Sequence, residues 1–378
     1  VLIMQKRIVA FIFLVIIAAM AMGELSPNKA GFSPMENRYL AVMPGASWRT
    51  IRTGEWMDDL ETYMADHVLL RDQWIRIKNT LERFSGRSQI DSVCFAEEDR
   101  LIQAQNVSLD QLSTNMQAIG QWVRNLPEDL PVSFLMAPTS SWIYQDQLPP
   151  YTMTYDPQQA SEAVRQALPE RVTLVNPYEV LYEHRDEAIY FKSDHHWTMR
   201  GASYAFTQLA AALHLEVDPF AYEEQKMGTD FRGSVYSQAP VFGYPGEDVW
   251  VYQTPGLKAT WEAEGAGGTL LMEERFAEKD QYTAFLGGNY GVTHIMNPEA
   301  SREEAVLVLK DSYANILMPF LAEQYQNMVD LRYYREDLSA FMEKQAIEQV
   351  ICIYNLDFLC TDQNFVWLKF LGGKEAVQ

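Results

Sequence analysis

The chain has 378 residues, of which 48% are hydrophobic and 21% charged, a balance that supports at least one large globular core. Lys and Arg number 30 against 51 Asp and Glu, so the formal net charge is −21 (30 − 51). Because nucleic-acid backbones are bound by clustered Lys and Arg, this charge argues against a nucleic-acid partner. The acidic residues are spread along the chain and indicate a solvated surface rather than a cation site.

The first residues have the pattern of an export signal. Lys6 and Arg7 precede an unbroken apolar run from Ile8 to Met22, which is typical of a signal peptide or a short membrane anchor. No small-residue cleavage site followed by a polar residue is evident, which favours an anchor. Residues 1–23 are therefore predicted to be a signal peptide or membrane anchor, with the rest of the chain extracytoplasmic, either anchored to the cytoplasmic membrane or secreted.

The cysteine content fits an exported protein that does not depend on disulfides. Cys94, Cys352 and Cys360 form no framework and no C-x-x-C pair, although Cys352 and Cys360 could pair in an oxidising compartment. Export without a disulfide framework indicates a Gram-positive-type bacterium.

The next part of the chain, residues 24–105, is predicted to be a linker followed by helix that packs on the core. Residues 24–54 are rich in Pro, Gly and Asn, and Glu55 to Phe84 carries one long helical pattern. We expect its apolar stripe to face the core rather than a membrane. The stripe contains Trp56, Leu60, Tyr63, Met64, Val68, Trp74, Ile77 and Leu81.

From residue 106 to the end, short apolar runs alternate with helical patterns, which predicts an α/β domain with a mostly parallel sheet. The candidate strands are Val132–Ala137, Val172–Val175, Val306–Leu309 and Val350–Tyr354, with Met328–Arg332 as a weaker fifth. The candidate helices are Leu109–Leu126, Gly201–Leu213 and Tyr313–Gln324. Between about 220 and 300 the chain becomes Gly-rich and aromatic, which predicts a β-rich insertion.

A loop before one of these helices carries Asp194, His195 and His196, followed by Trp197. In an extended segment, residues two apart point the same way, so Asp194 and His196 are expected to approach each other while His195 faces the opposite side. A carboxylate that orients an imidazole is the base half of a catalytic triad.

Ser312 lies where a buried strand is predicted to turn into a helix. A hydroxyl at such a corner is lifted out of the sheet, and N–H groups of the first helical turn could hold an oxyanion. With His196 as its base, Ser312 is the candidate nucleophile. The alternative is that Ser312 merely caps the helix, a role that Asp311 could fill equally.

An Asp-His-His triplet is also rich in metal ligands and occurs in a phosphoesterase family named for it. The remaining histidines, however, show no H-x₃-H or H-E-x-x-H spacing, and no second cluster that combines acidic residues with histidine is visible. The sequence therefore predicts neither a metal nor another cofactor.

Several motifs together resemble one family. They are Glu36-Asn37-Arg38, Leu70-Arg71-Asp72, Ala137-Pro138-Thr139, Asp194-His195-His196-Trp197-Thr198, Phe231-Arg232-Gly233-Ser234, Gly287-Gly288-Asn289-Tyr290 and Lys310-Asp311-Ser312-Tyr313-Ala314-Asn315. The chain resembles the DHHW family, which is similar to the SGNH-hydrolase-like O-acetyltransferases of alginate and other exopolysaccharides. The resemblance implies a three-layer α/β domain with a permuted triad order.

By this resemblance Ser312 is the nucleophile, His196 the base and Asp194 the orienting carboxylate. The chain departs from the SGNH pattern because one residue, not two, separates Asp from His, and because Lys-Asp-Ser replaces Gly-Asp-Ser. The second departure leaves the oxyanion donors open.

Further candidates for oxyanion or substrate contact are Asn289, Tyr313, Thr139, Ser140 and Trp197. Asn289 follows two glycines and is either a side-chain oxyanion donor or part of a turn. Thr139 and Ser140 follow a strand and either face the cleft or form a turn. Trp197 either stacks on a sugar or packs in the core.

The expected function is extracytoplasmic, serine-dependent O-acetyl transfer to a cell-surface or exported polysaccharide through an acyl-serine intermediate. The resemblance further implies a membrane-bound O-acyltransferase partner that supplies acetyl groups. A carbohydrate esterase with the same triad and a non-catalytic polysaccharide-binding or assembly protein remain alternatives.

Overall fold

The structure is a computed structural model that describes residues 31–105, 107–152, 155–331 and 338–369, together with residues 7, 8, 10, 11 and 13–15. Most of the predicted anchor, residues 1–6 and 16–23 included, lies outside the described residues. In the described ranges, no helix is both long enough and apolar enough to cross a membrane.

The chain divides into two compact units, one formed by Val1–Ile90 with Ser237–Tyr244 and the other by Asp91–Tyr236 with Pro245–Gln378. The division predicted from the sequence, at residues 23 and 105, stays a prediction.

The strands are β1 (Phe32–Ser33), β2 (Arg38–Tyr39), β3 (Gln89–Ile90), β4 (Val93–Phe95), β5 (Leu101–Gln103), β6 (Val132–Ala137), β7 (Thr173–Val175), β8 (Glu224–Phe231), β9 (Glu247–Tyr252), β10 (Thr260–Ala263), β11 (Ala266–Thr269), β12 (Val292–Met296), β13 (Arg302–Lys310), β14 (Tyr325–Leu331) and β15 (Ile347–Asn355). The α-helices are α1 (Trp48–Thr53), α2 (Glu55–Asp66), α3 (Arg71–Phe84), α4 (Leu109–Asn125), α5 (Ser140–Ile143), α6 (Pro157–Ala167), α7 (Tyr178–Glu183), α8 (Met199–Ala212), α9 (Ser234–Gln238), α10 (Met318–Ala322), α11 (Leu338–Lys344) and α12 (Leu356–Thr361).

The second unit is built on a mixed sheet whose described strands follow the order β11-β10-β12-β14-β13-β15-β6-β7. The five strands from β14 to β7 run parallel, and β12, β10 and β11 extend the sheet antiparallel. The large, mostly parallel α/β sheet predicted from the sequence is therefore confirmed. The extension shows that part of the predicted β-rich insertion joins the main sheet.

Alternation along β13 explains why the sheet is covered on both faces. Val306 and Val308 belong to one hydrophobic core, whereas Leu307 and Leu309 belong to the other. Since successive side chains of a strand point to opposite faces, a run of buried apolar residues is what a doubly covered parallel strand requires. Helix α4 covers one face with Leu112, Met116, Ile119 and Val123, as its 3.6-residue period predicts.

In the first unit, ion pairs connect two of the motifs that carried the family resemblance. Arg38 donates both guanidinium ends to Asp66, at 2.9 and 2.5 Å, and Arg71 forms a two-point pair with Glu36. The hydrogen bond from Arg38 outweighs desolvation and lowers the pKa of Asp66 to about 2. These motif residues therefore fasten the start of the unit to its helices.

Two sequence expectations need correction. The single helix expected over residues 55–84 is two helices: α2 ends at Asp66, and α3 begins at Arg71 after Leu70, which adopts a left-handed conformation (φ 59°). The segment expected to be a helix over residues 313–324 consists of a 3₁₀ turn, Ser312–Ile316, and the short α10. Of the alternatives left open for the cysteines, the structure has the unpaired one, since Cys94, Cys352 and Cys360 are buried free thiols.

The apolar stripe expected in the N-terminal helices is half-buried at Trp56, Leu60, Tyr63 and Val68 and exposed at Met64, Trp74, Ile77 and Leu81. The buried residues of α2 and α3 are polar, Asp66 and Asn79. Packing of the stripe on the core stays a prediction.

Candidate active site

Ser312 stands directly after β13, at a corner that Asp311 holds in place. Asp311 Oδ1 accepts the Tyr313 N–H at 2.8 Å, and Oδ2 accepts the backbone N–H and the side-chain amide of Asn355 at 2.7 and 2.8 Å. Asn355 ends β15, the strand next to β13. Because Asp311 caps the 3₁₀ turn, the Ser312 hydroxyl is not needed as a cap.

His196 bridges Ser312 and Asp194. Its Nε2 lies 2.8 Å from Ser312 Oγ, and its Nδ1 lies 2.6 Å from Asp194 Oδ1. The same carboxylate oxygen accepts the His196 backbone N–H at 3.0 Å. The structure thus brings the three predicted residues into the arrangement in which a base can take the serine proton and a carboxylate fixes the base.

The Asp194 carboxyl is buried and ionised. Burial opposes ionisation, but the adjacent His196 and His195, with hydrogen bonds from His196 and from the Ser234 N–H, hold its pKa well below the usual range. The Ser234 N–H donates to Asp194 Oδ2 at 2.7 Å. A Cβ on Gly233 would lie 2.4 Å from that same oxygen, so only glycine fits in the Phe-Arg-Gly-Ser segment at this point.

Alternation in an extended segment predicted that His195 faces away from the site, and this prediction is wrong. Its ring centroid lies 3.8 Å from that of His196, and its Nδ1 is 2.6 Å from Ser234 Oγ. The loop is bent rather than extended, so residues two apart no longer define a face. Desolvation and then the adjacent His196 lower the pKa of His195 to about 4, so its ring is neutral near pH 7.

Glu247, at the start of β9, holds the beginning of this loop. Its carboxylate accepts the Lys192 N–H at 2.9 Å, the Ser193 N–H at 2.9 Å and the Ser193 hydroxyl at 2.5 Å. Burial raises the pKa of Glu247, against the effect of these hydrogen bonds. Three donors on one carboxylate fix the backbone immediately before Asp194.

Tyr282 covers the imidazole of His196. The two rings are stacked, with centroids 3.6 Å apart and planes 6° apart. Its hydroxyl donates to the backbone carbonyl of Ser312 at 2.7 Å. Tyr282 therefore touches both the candidate base and the residue that carries the candidate nucleophile.

Replacing Tyr282 separates these two contacts. Tyr282→Phe removes only the hydroxyl bond, so we expect kcat to fall by about five- to tenfold, the worth of one hydrogen bond. Tyr282→Leu also removes the stacked ring and is expected to lower kcat further, because His196 then loses the ring that packs against its imidazole. Steady-state kinetics on a small acetyl ester measure both; equal kcat in the two variants would mean that the stacking has no effect.

The other candidate residues occupy different surroundings. Asn289 is exposed, with its Oδ1 3.4 Å from Asn315 Nδ2 on the 3₁₀ turn that begins at Ser312. The Tyr313 N–H is donated to Asp311, and its hydroxyl donates to the carbonyl of His195. Asn289 thus stays a candidate oxyanion donor, whereas the Tyr313 amide is already engaged.

Thr139, Ser140 and Trp197 are all buried. Thr139 Oγ1 bonds Ser141 Oγ at 2.9 Å, and Ser140 begins α5. Trp197 is fully buried, and its indole N–H donates to the Tyr313 carbonyl at 2.9 Å. These positions fit the alternative of a turn for Thr139 and Ser140 and of core packing for Trp197, whose buried ring has no face to offer a sugar.

The triplet also forms the potential metal-binding group of the described residues. Ligand atoms of Asp194, His195 and His196 lie within 4.8 Å of one another. Both ring nitrogens of His196 are, however, engaged by Asp194 and Ser312. A metal ion held by His196 would have to displace one of these partners.

Glu247, Tyr282 and Asn355 were not predicted from the sequence. Each is a single residue on an element far along the chain from its partner, with no motif around it. The Phe-Arg-Gly-Ser segment did carry a signal, the glycine, but no role could be assigned to it without the Asp194 contact.

The DHHW protein family model matches residues 163–331, which include Asp194, His196 and Ser312. This match confirms the resemblance inferred from the motifs. A comparison with curated proteins finds no match.

Solved structures share the fold. A Bacillus cereus PatB1 structure with a sulfonyl adduct has a TM-score of 0.62 at 19% identity, covering 75% of this chain and 100% of that one. A DHHW family protein from Eubacterium siraeum DSM 15702 has a TM-score of 0.63 at 17% identity, covering 74% and 95%. The O-acetyltransferase domain of Pseudomonas putida AlgJ is more distant, with a TM-score of 0.46 at 15% identity, covering 74% and 98%.

Proposed function

Since this chain resembles the DHHW family over residues 163–331 and shares the fold of a DHHW protein, we propose that it is a serine-dependent O-acyltransferase of the cell envelope. The observation that carries the proposal is that His196 is hydrogen-bonded on both sides. Its Nδ1 lies 2.6 Å from Asp194 Oδ1, and its Nε2 lies 2.8 Å from Ser312 Oγ. We further propose, from the sequence resemblance, that the group transferred is acetyl and the acceptor is a cell-surface or exported polysaccharide.

In the first half-reaction, the Ser312 oxygen attacks the acyl carbonyl while His196 Nε2 takes its proton. The ionised Asp194 carboxylate stabilises the imidazolium that forms and keeps Nδ1 protonated. The tetrahedral intermediate then expels the donor's leaving group, which receives the proton from Nε2. The product is an acyl ester on Ser312.

In the second half-reaction, a sugar hydroxyl takes the place of the leaving group. His196 removes its proton, its oxygen attacks the acyl-serine carbonyl, and Ser312 leaves with the proton returned through Nε2. Each half-reaction develops one oxyanion, for which the Ser312 N–H and the Asn289 side-chain amide are the proposed donors.

The same triad would hydrolyse the acyl-serine if water were the acceptor, so a carbohydrate esterase is the second candidate function. The half-buried Ser312 favours neither acceptor. We propose transfer because the sequence resembles the DHHW family, which is similar to O-acetyltransferases. We propose a membrane-bound O-acyltransferase as the source of acetyl groups outside the cytoplasm.

Product analysis tests this choice. The full chain, purified in detergent, is incubated with an activated acetyl ester and a mixture of oligosaccharides, and the products are weighed by mass spectrometry. We expect acetylated oligosaccharide in excess of free acetate. Acetate alone would establish the esterase, and neither product would favour a non-catalytic binding protein.

Two additions identify the chemistry in the same experiment. A sulfonyl fluoride should add one sulfonyl group to the wild-type chain on the peptide that contains Ser312 and none to Ser312→Ala. A chelator should leave the rate unchanged; loss of activity that added zinc restores would instead establish metal chemistry at Asp194, His195 and His196.

A further inference from the structure

We propose that helix α3 is a membrane-surface helix whose exposed apolar stripe enters the headgroup region of an anionic lipid bilayer. The stripe consists of Leu70 and four residues of the helix, Trp74, Ile77, Leu81 and Phe84, spaced four, three, four and three residues apart. All five are exposed, Leu81 at 62% and Phe84 at 85%. Such spacing places them on one side of a helix.

Other parts of the helix surface are already occupied within its own unit. The Asn79 side-chain amide donates to the Pro240 carbonyl at 3.1 Å, and Thr80 Oγ1 accepts the Phe242 N–H at 3.0 Å. The Arg76 guanidinium lies 4.3 Å from the centre of the Phe242 ring. Polar side chains therefore hold the helix in its unit, and the apolar stripe is exposed. In ordinary packing the apolar residues of a helix are buried instead.

The charge around the stripe is opposite to that of the chain. Residues 72–87 contain four cations, Arg76, Lys78, Arg83 and Arg87, and two anions, Asp72 and Glu82, so their net charge is +2 (4 − 2), against −21 for the whole chain. Arg71 is left out because its charge is paired with Glu36. Lys78, Arg83 and Arg87 are exposed. These three side chains form a cationic border beside the stripe, which anionic headgroups complement. Trp and Phe are well suited to the interface between headgroups and acyl chains.

Helix α1 repeats the pattern in the same unit. Trp48 is 79% exposed and Ile51 is exposed too, with Arg49 and Arg52 beside them. A short helix with exposed apolar residues and adjacent cations is typical of a protein that lies on a bilayer rather than of one that spans it.

A second copy of the chain fits this surface less well. In a twofold contact the same patch meets itself, so two cationic borders would be brought together. The positive border therefore favours a lipid surface as the occupant.

A spin label at residue 81 tests the proposal on the full chain. Because Cys94, Cys352 and Cys360 are buried, a nitroxide attached to Leu81→Cys labels that position selectively. On vesicles of three parts phosphatidylcholine to one part phosphatidylglycerol, we expect the label to lose accessibility to a water-soluble nickel complex and to gain accessibility to oxygen. A label at Glu128→Cys, an exposed site of the other unit, should stay accessible to nickel.

The readout is local, so it does not depend on whether residues 1–23 insert. Charge reversal by Lys78→Glu, Arg83→Glu and Arg87→Glu together should restore nickel accessibility at residue 81, as should pure phosphatidylcholine vesicles. Unchanged nickel accessibility on the anionic vesicles would overturn the proposal. If the label at residue 81 were inaccessible to nickel without vesicles and its spectrum showed dipolar broadening between labels, the membrane proposal would be overturned. The stripe would then contact a second copy of the chain.

Discussion

Replacing Ser312 with alanine is expected to lower kcat for a small activated acetyl ester by about 10⁴-fold or more, because loss of the nucleophile of a triad removes covalent catalysis altogether. The hydroxyl lies 2.8 Å from His196 Nε2 and caps no helix, since Asp311 fills that role. The change removes one hydrogen bond to the buried His196 but no helix cap, so the free energy of unfolding should fall by no more than about 1.5 kcal/mol. Stopped-assay kinetics and urea unfolding measure the two quantities.

Ser301→Ala is the matched control, because Ser301 is exposed and lies just before the same strand, β13. It should retain wild-type turnover. If Ser312→Ala also turned over normally while remaining folded, Ser312 would not be the nucleophile, and the triad hydrogen bonds would have only a structural role.

The parallel part of the sheet could be predicted because its strands are short, apolar and bounded by turns. β6 was predicted with its observed bounds, and the apolar centre of β15 was located within the strand. Side chains that alternate between two cores leave no polar face, and this is what the sequence displayed. The antiparallel extension by β10 to β12 could not be foreseen, because nothing local distinguishes a strand that joins the sheet from one in a separate lobe.

The site was predictable to the extent that its geometry is local. Asp194 and His196 are two residues apart, and Ser312 lies at a strand-to-helix corner, so each half carried a pattern. The expected position of His195 was wrong because it depended on an extended loop, whereas the loop is bent around Glu247 and Gly233. Contacts that join distant segments leave no local pattern in the sequence.

The exposed helix α3 shows a different limit. Its 3.6-residue apolar period predicts a helix with one apolar face, but the period is the same whether that face meets a core or a lipid surface. What distinguishes them is the charge beside the stripe and the partners of the polar face, Asn79 and Thr80. The charge can be read from the sequence, but the contacts of the polar face are known only from the structure.

Lys310, at the position where the SGNH pattern has glycine, has a structural role. Lys310 is 1% exposed, and its Nζ lies 3.0 Å from Asp330 Oδ2 and donates to Asn315 Oδ1 at 2.6 Å. Asp330 is on the neighbouring strand β14, and Asn315 is on the turn that begins with Ser312. The lysine therefore ties the nucleophile's turn to the sheet beneath it.

Lys310→Met is accordingly expected to destabilise the fold by about 3–5 kcal/mol, because it leaves the buried Asp330 carboxylate without this cation. Urea unfolding measures the loss. Lys226→Met is the matched control: Lys226 pairs with Asp248 at 3.3 Å, but both are exposed, so about 1 kcal/mol or less is expected.

The double variant Lys310→Met with Asp330→Leu separates stability from positioning. Removing both charges should recover most of the lost stability, since a buried ion pair can be replaced by apolar residues of similar size at little net cost. Turnover should remain reduced, because Asn315 has still lost the Lys310 bond that fixes its amide beside Gly288 and Asn289. Recovery of kcat together with stability would contradict this assignment and reduce Lys310 to a purely structural residue.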